Sequence, residues 1–371
     1  MKRFSLLSGA YINAGDFLIV DRTKKLLRYV YPDCEITEYK RDQKLDGYLE
    51  VINRTDALII AGGPAYMMNI YPDIIPLVDN LEDIKTKIIA IGLGWYGKSV
   101  DEKYIDNYIF TKKTQKLLER ISKDAKVLTC RDWYSVKVLN KNGFPNSILT
   151  GCPAWNNLEK KSMCTFRKNL DFKYGKICIS DPANEVNLEE SFILANYLHN
   201  IYPKSEIHFV FHRLNIKNLK INSYINKLKS LGIIVDDITG GVNGMEIYDD
   251  CDLHIGYRVH AHIYNLSNRN ISILIEEDGR GTGVNEALGI LGIKAYNSFK
   301  IGGKNDDYIA RLMRMINKKI MLLKKYSNRN FENNIKEYID IIEQNNYSQY
   351  YTAFYNLKLY HEKMIDFIST I

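Results

Sequence analysis

The chain has 371 residues, 46% hydrophobic and 26% charged, with a net charge of +7. That length points to two domains, since single cores seldom grow past about 250–300 residues. The composition excludes extended disorder, and no run approaches the roughly 18 apolar residues of a membrane-spanning helix. Nucleic-acid binding is also disfavoured, because no dense Arg-rich stripe or nucleic-acid motif occurs.

Most of the basic excess is Lys spread over solvated faces, which still suits an anionic substrate or loose attraction to acidic lipid. Cys34, Cys130, Cys152, Cys164, Cys178 and Cys251 are scattered without a C-x-x-C pair. That pattern argues for a reducing compartment and against a disulfide framework or structural zinc. The first apolar run is too short for a signal peptide, so the expected location is the cytoplasm.

In chain order, strands are expected at Phe4–Ser8, Glu35–Tyr39, Ala57–Ala61, Lys87–Gly92 and Val127–Cys130. Helices Asp16–Tyr31, Tyr104–Ser122 and Trp133–Asn142 lie among them. A polar stretch, Asn156–Tyr174, reads as a linker. A second series follows, with strands Lys176–Ser180, Glu206–Phe211, Ile233–Val235, Asp252–Ile255 and Ile271–Ile275. Its helices are Leu188–Ile201, Ser223–Leu231 and Val259–Leu266. Strands alternating with helices in this way predict an α/β protein with two Rossmann-like parallel sheets. The expected division is residues 1–160, residues 161–300 and a helical extension over 301–371. Within that extension Ile309–Tyr326 is a basic amphipathic helix, a form that either packs on a sheet or lies on a membrane surface, packing being the commoner fate.

Polar clusters fall at strand ends, where open α/β sheets bind ligands. Gly9 to Asp16, including Asn13 and Gly15, follows the first strand; Asp16 reads equally as a helix cap and as a site residue. Gly62 and Gly63 follow the third strand, and Gly92, Gly94 and Gly97 the fourth, opening a backbone-lined edge suited to a polar ligand. Arg131, Asp132 and Ser135 end the fifth, with helix capping and an Arg131–Asp132 pair as the bland readings.

The densest cluster is Arg258, His260 and His262, followed by Glu276, Glu277, Asp278 and Arg280 at the next strand end. An Arg offers a planar fork to carboxylate or phosphate, and a His a proton near neutral pH. Together they suggest an enzyme that holds a small anion and moves a proton. His262 reads as a structural histidine, and metal ligation by the two His is disfavoured without further ligands nearby. The carboxylates fit three roles: binding acceptor hydroxyls, pairing with Arg280, or capping the turn at Gly279.

These spaced blocks resemble the polysaccharide pyruvyl transferase family. They are N-x-G-D at Asn13 to Asp16, Gly62-Gly63, R-D-x-x-S at Arg131 to Ser135, G-x-P-A at Gly151 to Ala154, and R-x-H at Arg258 to His260. The resemblance implies a GT-B-like fold, its N-terminal half facing the acceptor and its C-terminal half the donor. It implies transfer of pyruvate from phosphoenolpyruvate to a sugar of a cell-surface polysaccharide or its lipid-linked precursor, forming a cyclic ketal.

Arg258 would then hold the donor anion and His260 would transfer a proton. The expected substrate-binding residues are Asn13, Asp16, Gly62, Gly63, Arg131, Arg213, Glu276, Asp278 and Arg280, with no metal or cofactor. The partners are the anionic donor and a saccharide or lipid-linked saccharide, with contact at the inner membrane face as a peripheral option; the oligomeric state stays open. The chain departs from the family pattern at Pro64, at Cys152, and after Ser180, where many relatives carry an Arg. Two alternatives remain. One is a glycosyltransferase gripping a nucleotide sugar through residues 276–280, Gly281 and Gly283; the other is a non-catalytic saccharide binder.

Overall fold

The structure, a computed structural model, describes residues 1–97, 99–166, 174–215, 218–295 and 328–371. The helix expected over Ile309–Tyr326 lies outside the described residues.

The first lobe holds β1 (Arg3–Ser8), α1 (Ala14–Val30), β2 (Glu35–Lys40), β3 (Ala57–Ala61), β4 (Pro64–Tyr66), β5 (Lys87–Ile91), β6 (Gly94–Trp95), β7 (Leu128–Cys130) and β8 (Ser147–Leu149). Its main sheet runs in the order β2-β1-β3-β5, and every pairing is parallel. The parallel pair β7-β8 attaches through a bridge between Leu93 and Cys130. Parallel strands covered on both faces need continuous apolar runs, and all five residues of β3 are buried.

The second lobe contributes β9 (Lys176–Ser180), β10 (Glu206–Phe211), β11 (Ile234–Asp237), β12 (Leu253–Gly256), β13 (Ile271–Glu276) and β14 (Ile293–Lys294). They lie in the order β11-β10-β9-β12-β13-β14, a doubly wound arrangement whose direction of winding reverses between β9 and β12. In the first sheet the reversal falls between β1 and β3. Each reversal sends successive connections to opposite faces and leaves a crevice at the strand ends. The expected pair of Rossmann-like parallel sheets is therefore present, with the motif loops at those crevices.

Three local expectations need correction. The helix expected over Tyr104–Ser122 is two, Glu102–Asp106 and Lys112–Ala125, because Tyr108 and Phe110 turn into the core between them. Thr111 caps the second, its hydroxyl accepting from the Thr114 amide. The short strands β4, β6, β8 and β14 were not anticipated. The stretch read as a linker is packed over its described part: Asn157 donates to Asn268 at 2.6 Å, and Arg269 donates to the carbonyls of Lys160 and Met163.

The C-terminal helix Ser348–Ser369 runs across both lobes. Its buried face repeats at helical spacing through Tyr350, Phe354, Leu357, Met364 and Ile368. Tyr350 and Tyr360 donate to the carbonyls of Ser272 and Ala287 in the second lobe. At the other end, Tyr31 and Lys2 of the first lobe donate to the carbonyls of Ile368 and Ile371.

Candidate active site

The segment after β1 meets the loops after β10 and β11 directly, since the Ala14 amide donates to the His212 carbonyl at 3.2 Å and the Gly240 amide to the Ile12 carbonyl at 2.7 Å. On the opposite rim the Gly279 amide donates to the Gly97 carbonyl at 3.2 Å. Tyr134 donates to Glu286 at 2.6 Å. The two crevices thus face one another across a bridged cleft.

In the first lobe Asn13 is the cap of α1, its side-chain oxygen accepting from the Gly15 amide at 3.4 Å. Its amide group donates to Asp16 at 3.2 Å, so Asp16 is a first-turn residue rather than the cap itself. Burial raises the Asp16 carboxyl above its ordinary range; Asn13, Arg41, Arg258 and Arg280 pull it back down. Gly62 and Gly63 both hold positive φ, +39° and +76°. A Cβ on Gly62 would meet Ile19 at 2.6 Å, so Gly62 serves the turn. Gly63 leaves its open face toward Arg41.

Arg131 is buried over Gly94, where a Cβ would fall 2.3 Å from its Cζ. It pairs with Asp132 at 3.0 Å, while Asp132 caps the helix Trp133–Lys141 by accepting from the Ser135 amide and hydroxyl at 2.8 Å each. The two bland readings of this motif both hold, yet the charge of Arg131 still reaches His260.

Arg258 lies two residues past β12, at the start of the helix Val259–Ser267, and sits at the switch point of the second sheet. Its guanidinium forks onto Asp181, which follows β9. His260 lies in the first turn of the helix Val259–Ser267, and its ring packs so closely on Gly15 that a Cβ there would stand 2.1 Å from Nδ1. Although His260 keeps part of its surface exposed, enclosure by protein is the chief reason its pKa is pushed down to about 3. Arg131, Arg280 and Arg258 add to the effect. The imidazole is therefore neutral at physiological pH. His262 is a buried structural residue, with Nδ1 2.8 Å from the Ser272 hydroxyl.

The acidic segment after β13 divides by role. Glu276 is buried inside the lobe and accepts from Thr282 at 2.6 Å and Asn285 at 2.8 Å, which corrects its expected place among substrate ligands. Asp278 caps the helix Gly279–Leu288 and chelates Arg280, satisfying two of its three readings. Arg280 lies over the Tyr96 ring, 4.9 Å from its centre. Arg213 is exposed.

Two relevant residues, Asp181 and Arg41, went unrecognised in the sequence, and Glu277 takes a role outside the three read for it. Glu277 accepts from the amides of Ala183 and Asn184 and from the Asn187 side chain, ordering the loop after β9. Asp181 holds Arg258. Arg41 lies over Gly9 and Gly63; its only signal was a cation at the end of the second strand. Among the described residues no three His, Cys, Asp or Glu side chains group as metal ligands would.

Two doubly wound lobes with cations and a neutral imidazole between them make a cleft fitted to anion binding and proton transfer. The chain belongs to the polysaccharide pyruvyl transferase family, whose model matches residues 13–267, and it is therefore a polysaccharide-modifying transferase. No curated protein matches it. Similar solved structures include the S. aureus MnaA–UDP co-structure, 12% identical over 92% of this chain and 98% of that one, with a TM-score of 0.48. Another is Anabaena Alr3699/HepE in complex with UDP and glucose, 10% identical over 100% and 97%, with a TM-score of 0.44.

Proposed function

We propose that this transferase moves pyruvate from phosphoenolpyruvate to a sugar of a cell-surface polysaccharide or its lipid-linked precursor. The observation that supports this most is the His260 ring packed on Gly15 of the opposite lobe, with Arg258 held by Asp181 just before it and Arg131 laid over Gly94. Fixed cations in an enclosed site stabilise an anionic donor without reorganisation at the moment of reaction.

A neutral imidazole acts first as a base. His260 takes the proton of an acceptor hydroxyl as its oxygen bonds to the donor's C2, and passes that proton to the C3 methylene, which becomes methyl. The second hydroxyl then attacks C2 as the C–O bond to phosphate breaks, and its proton leaves with the phosphate. Donor charge offsets the arginines and raises the basicity of His260 when the cleft is filled. A lipid-linked acceptor would bring the protein to the inner membrane face as a peripheral visitor; no described helix is long and apolar enough to cross a membrane.

The nucleotide-sugar alternative is weaker. Gly281 and Gly283, which it would use for the diphosphate, are buried against Glu276 and Asp132 respectively. Calorimetric titration with phosphoenolpyruvate and with a panel of nucleotide sugars separates the two readings. Phosphoenolpyruvate should bind; binding of a nucleotide sugar alone overturns the proposal.

A further inference from the structure

Four guanidiniums act on Asp16 or His260: Arg41, Arg131, Arg258 and Arg280. Three already have carboxylate partners, Asp132 at 3.0 Å, Asp181 at 2.5 Å and Asp278 at 2.6 Å. Arg41 does not. Its backbone amide donates to the Ser8 carbonyl at 2.9 Å, but its side chain makes no ion pair or hydrogen bond among the described residues.

The side chain is nevertheless placed. It reaches from the end of β2 across the loop after β1, and a Cβ on Gly9 would stand 2.6 Å from its Cζ and 2.8 Å from its Nε. Nη1 lies 3.7 Å from where a Cβ would project from Gly63, in the loop after β3. Gly9 and Gly63 flank the reversal of the first sheet, so the guanidinium spans that crevice over bare backbone. Lys40 supports the same loop, donating to the Ala10 carbonyl at 2.6 Å with its ammonium 4.6 Å from the Tyr11 ring centre.

A guanidinium already chelated by a carboxylate has given much of its bidentate capacity away, and an incoming anion must share it. A partly enclosed Arg held in place with no carboxylate hydrogen-bonded to it, Asp16 acting on it only from a distance, keeps that capacity for a ligand. The geometry points to Arg41 as the residue that grips the phosphate of the bound donor, the three paired arginines supplying a fixed background field. This rests on the proposed function only in that the donor carries phosphate.

The test is calorimetric titration of phosphoenolpyruvate and of UDP-N-acetylglucosamine into the wild type, Arg41→Gln, Arg41→Lys, Gly9→Ala and the Gly9→Ala/Arg41→Gln double variant. Arg41→Gln should weaken whichever donor the wild type binds by about tenfold or more, with thermal unfolding unchanged and Arg41→Lys intermediate. Gly9→Ala should imitate it by evicting the guanidinium, yet add nothing once Arg41 is gone. Affinity within twofold of wild type in Arg41→Gln overturns the inference, as does an equal Gly9→Ala penalty with and without Arg41. Wild-type binding of the nucleotide sugar in place of phosphoenolpyruvate removes the pyruvyl reading while leaving the Arg41 comparison intact. Binding of neither overturns both.

Discussion

Asp181 holds Arg258 with both carboxylate oxygens, Oδ1 to Nε at 2.7 Å and Oδ2 to Nη2 at 2.5 Å, and Oδ1 also accepts from the His212 amide at 3.1 Å. This joins the ends of β9, β10 and β12 at the switch point of the second sheet. Asp181 positions Arg258, and the position after Ser180 carries an anchor for the cleft cation.

Replacing Asp181 with Asn should therefore disturb more than charge. Removing one partner of a buried ion pair costs about 3–5 kcal/mol, and both side chains here are largely buried. The melting temperature should fall. In kcat/KM, Asp181→Asn and Arg258→Ala should be strongly non-additive, since each acts through the other. Additive losses would show that Asp181 does not work through Arg258.

His260→Gln should lower turnover by about a hundredfold to ten-thousandfold, the range of a positioned general base, with little change in melting temperature. Retained activity would remove its proton role.

Gly15→Ala tests the same ring from the opposite lobe. A methyl there would meet His260 Nδ1 at 2.1 Å and Cγ at 2.5 Å, so the ring must move. Alanine itself suits a first helical turn. The expected result is a loss of kcat approaching that of His260→Gln with unchanged far-UV circular dichroism.

The buried histidines set an acid limit to stability. Burial pushes His262 down to about 3 and His361 to about 4, from an ordinary value of 6.5. Below pH 6.5 the unfolded chain takes up protons that the native state refuses, so stability falls as pH drops toward those values. Glu190, raised to about 7 by burial, works in the opposite direction, its native state keeping a proton as pH rises above the ordinary 4.5. A variant comparison isolates the histidine share: His361→Gln should show a shallower decline in melting temperature from pH 6.5 to 4 than the wild type.

Glu276→Leu should act on folding rather than binding. Its oxygens accept from Thr282 and Asn285, and an apolar side chain would leave the buried Asn285 amide without that acceptor. Leaving a buried group unsatisfied costs about 1–3 kcal/mol. Thermal denaturation should report that loss while KM for the donor stays unchanged.

The strand series and the R-x-H cluster were legible because both rest on local pattern. Apolar runs such as Leu253 to Ile255 mark buried parallel strands, and polar residues at their ends mark the ligand edge. Pairing within a motif, Arg131 with Asp132 or Asp278 with Arg280, was legible, but pairing between distant positions was not. Nothing near Arg258 in sequence announces Asp181, 77 residues away. Glu276, Glu277 and Asp278 look alike as a triplet, and only the fold sends them to the lobe interior, to the loop after β9 and to a helix cap. The turn between the helices ending at Asp106 and beginning at Lys112 was missed because Tyr108 and Phe110 also suit a continuous helix; their burial decides otherwise.

The helix Ser348–Ser369 seals surfaces laid down more than 300 residues earlier, as its contacts with Lys2 and Tyr31 show. Such long-range closure is slow compared with forming either sheet, because loop entropy must be surrendered before any contact rewards it. Without that helix docked, the surface of the first lobe that it covers would stand bare. Such a bare surface is open to wrong partners, so crowded expression should cost soluble yield most when the docking helix is weakened.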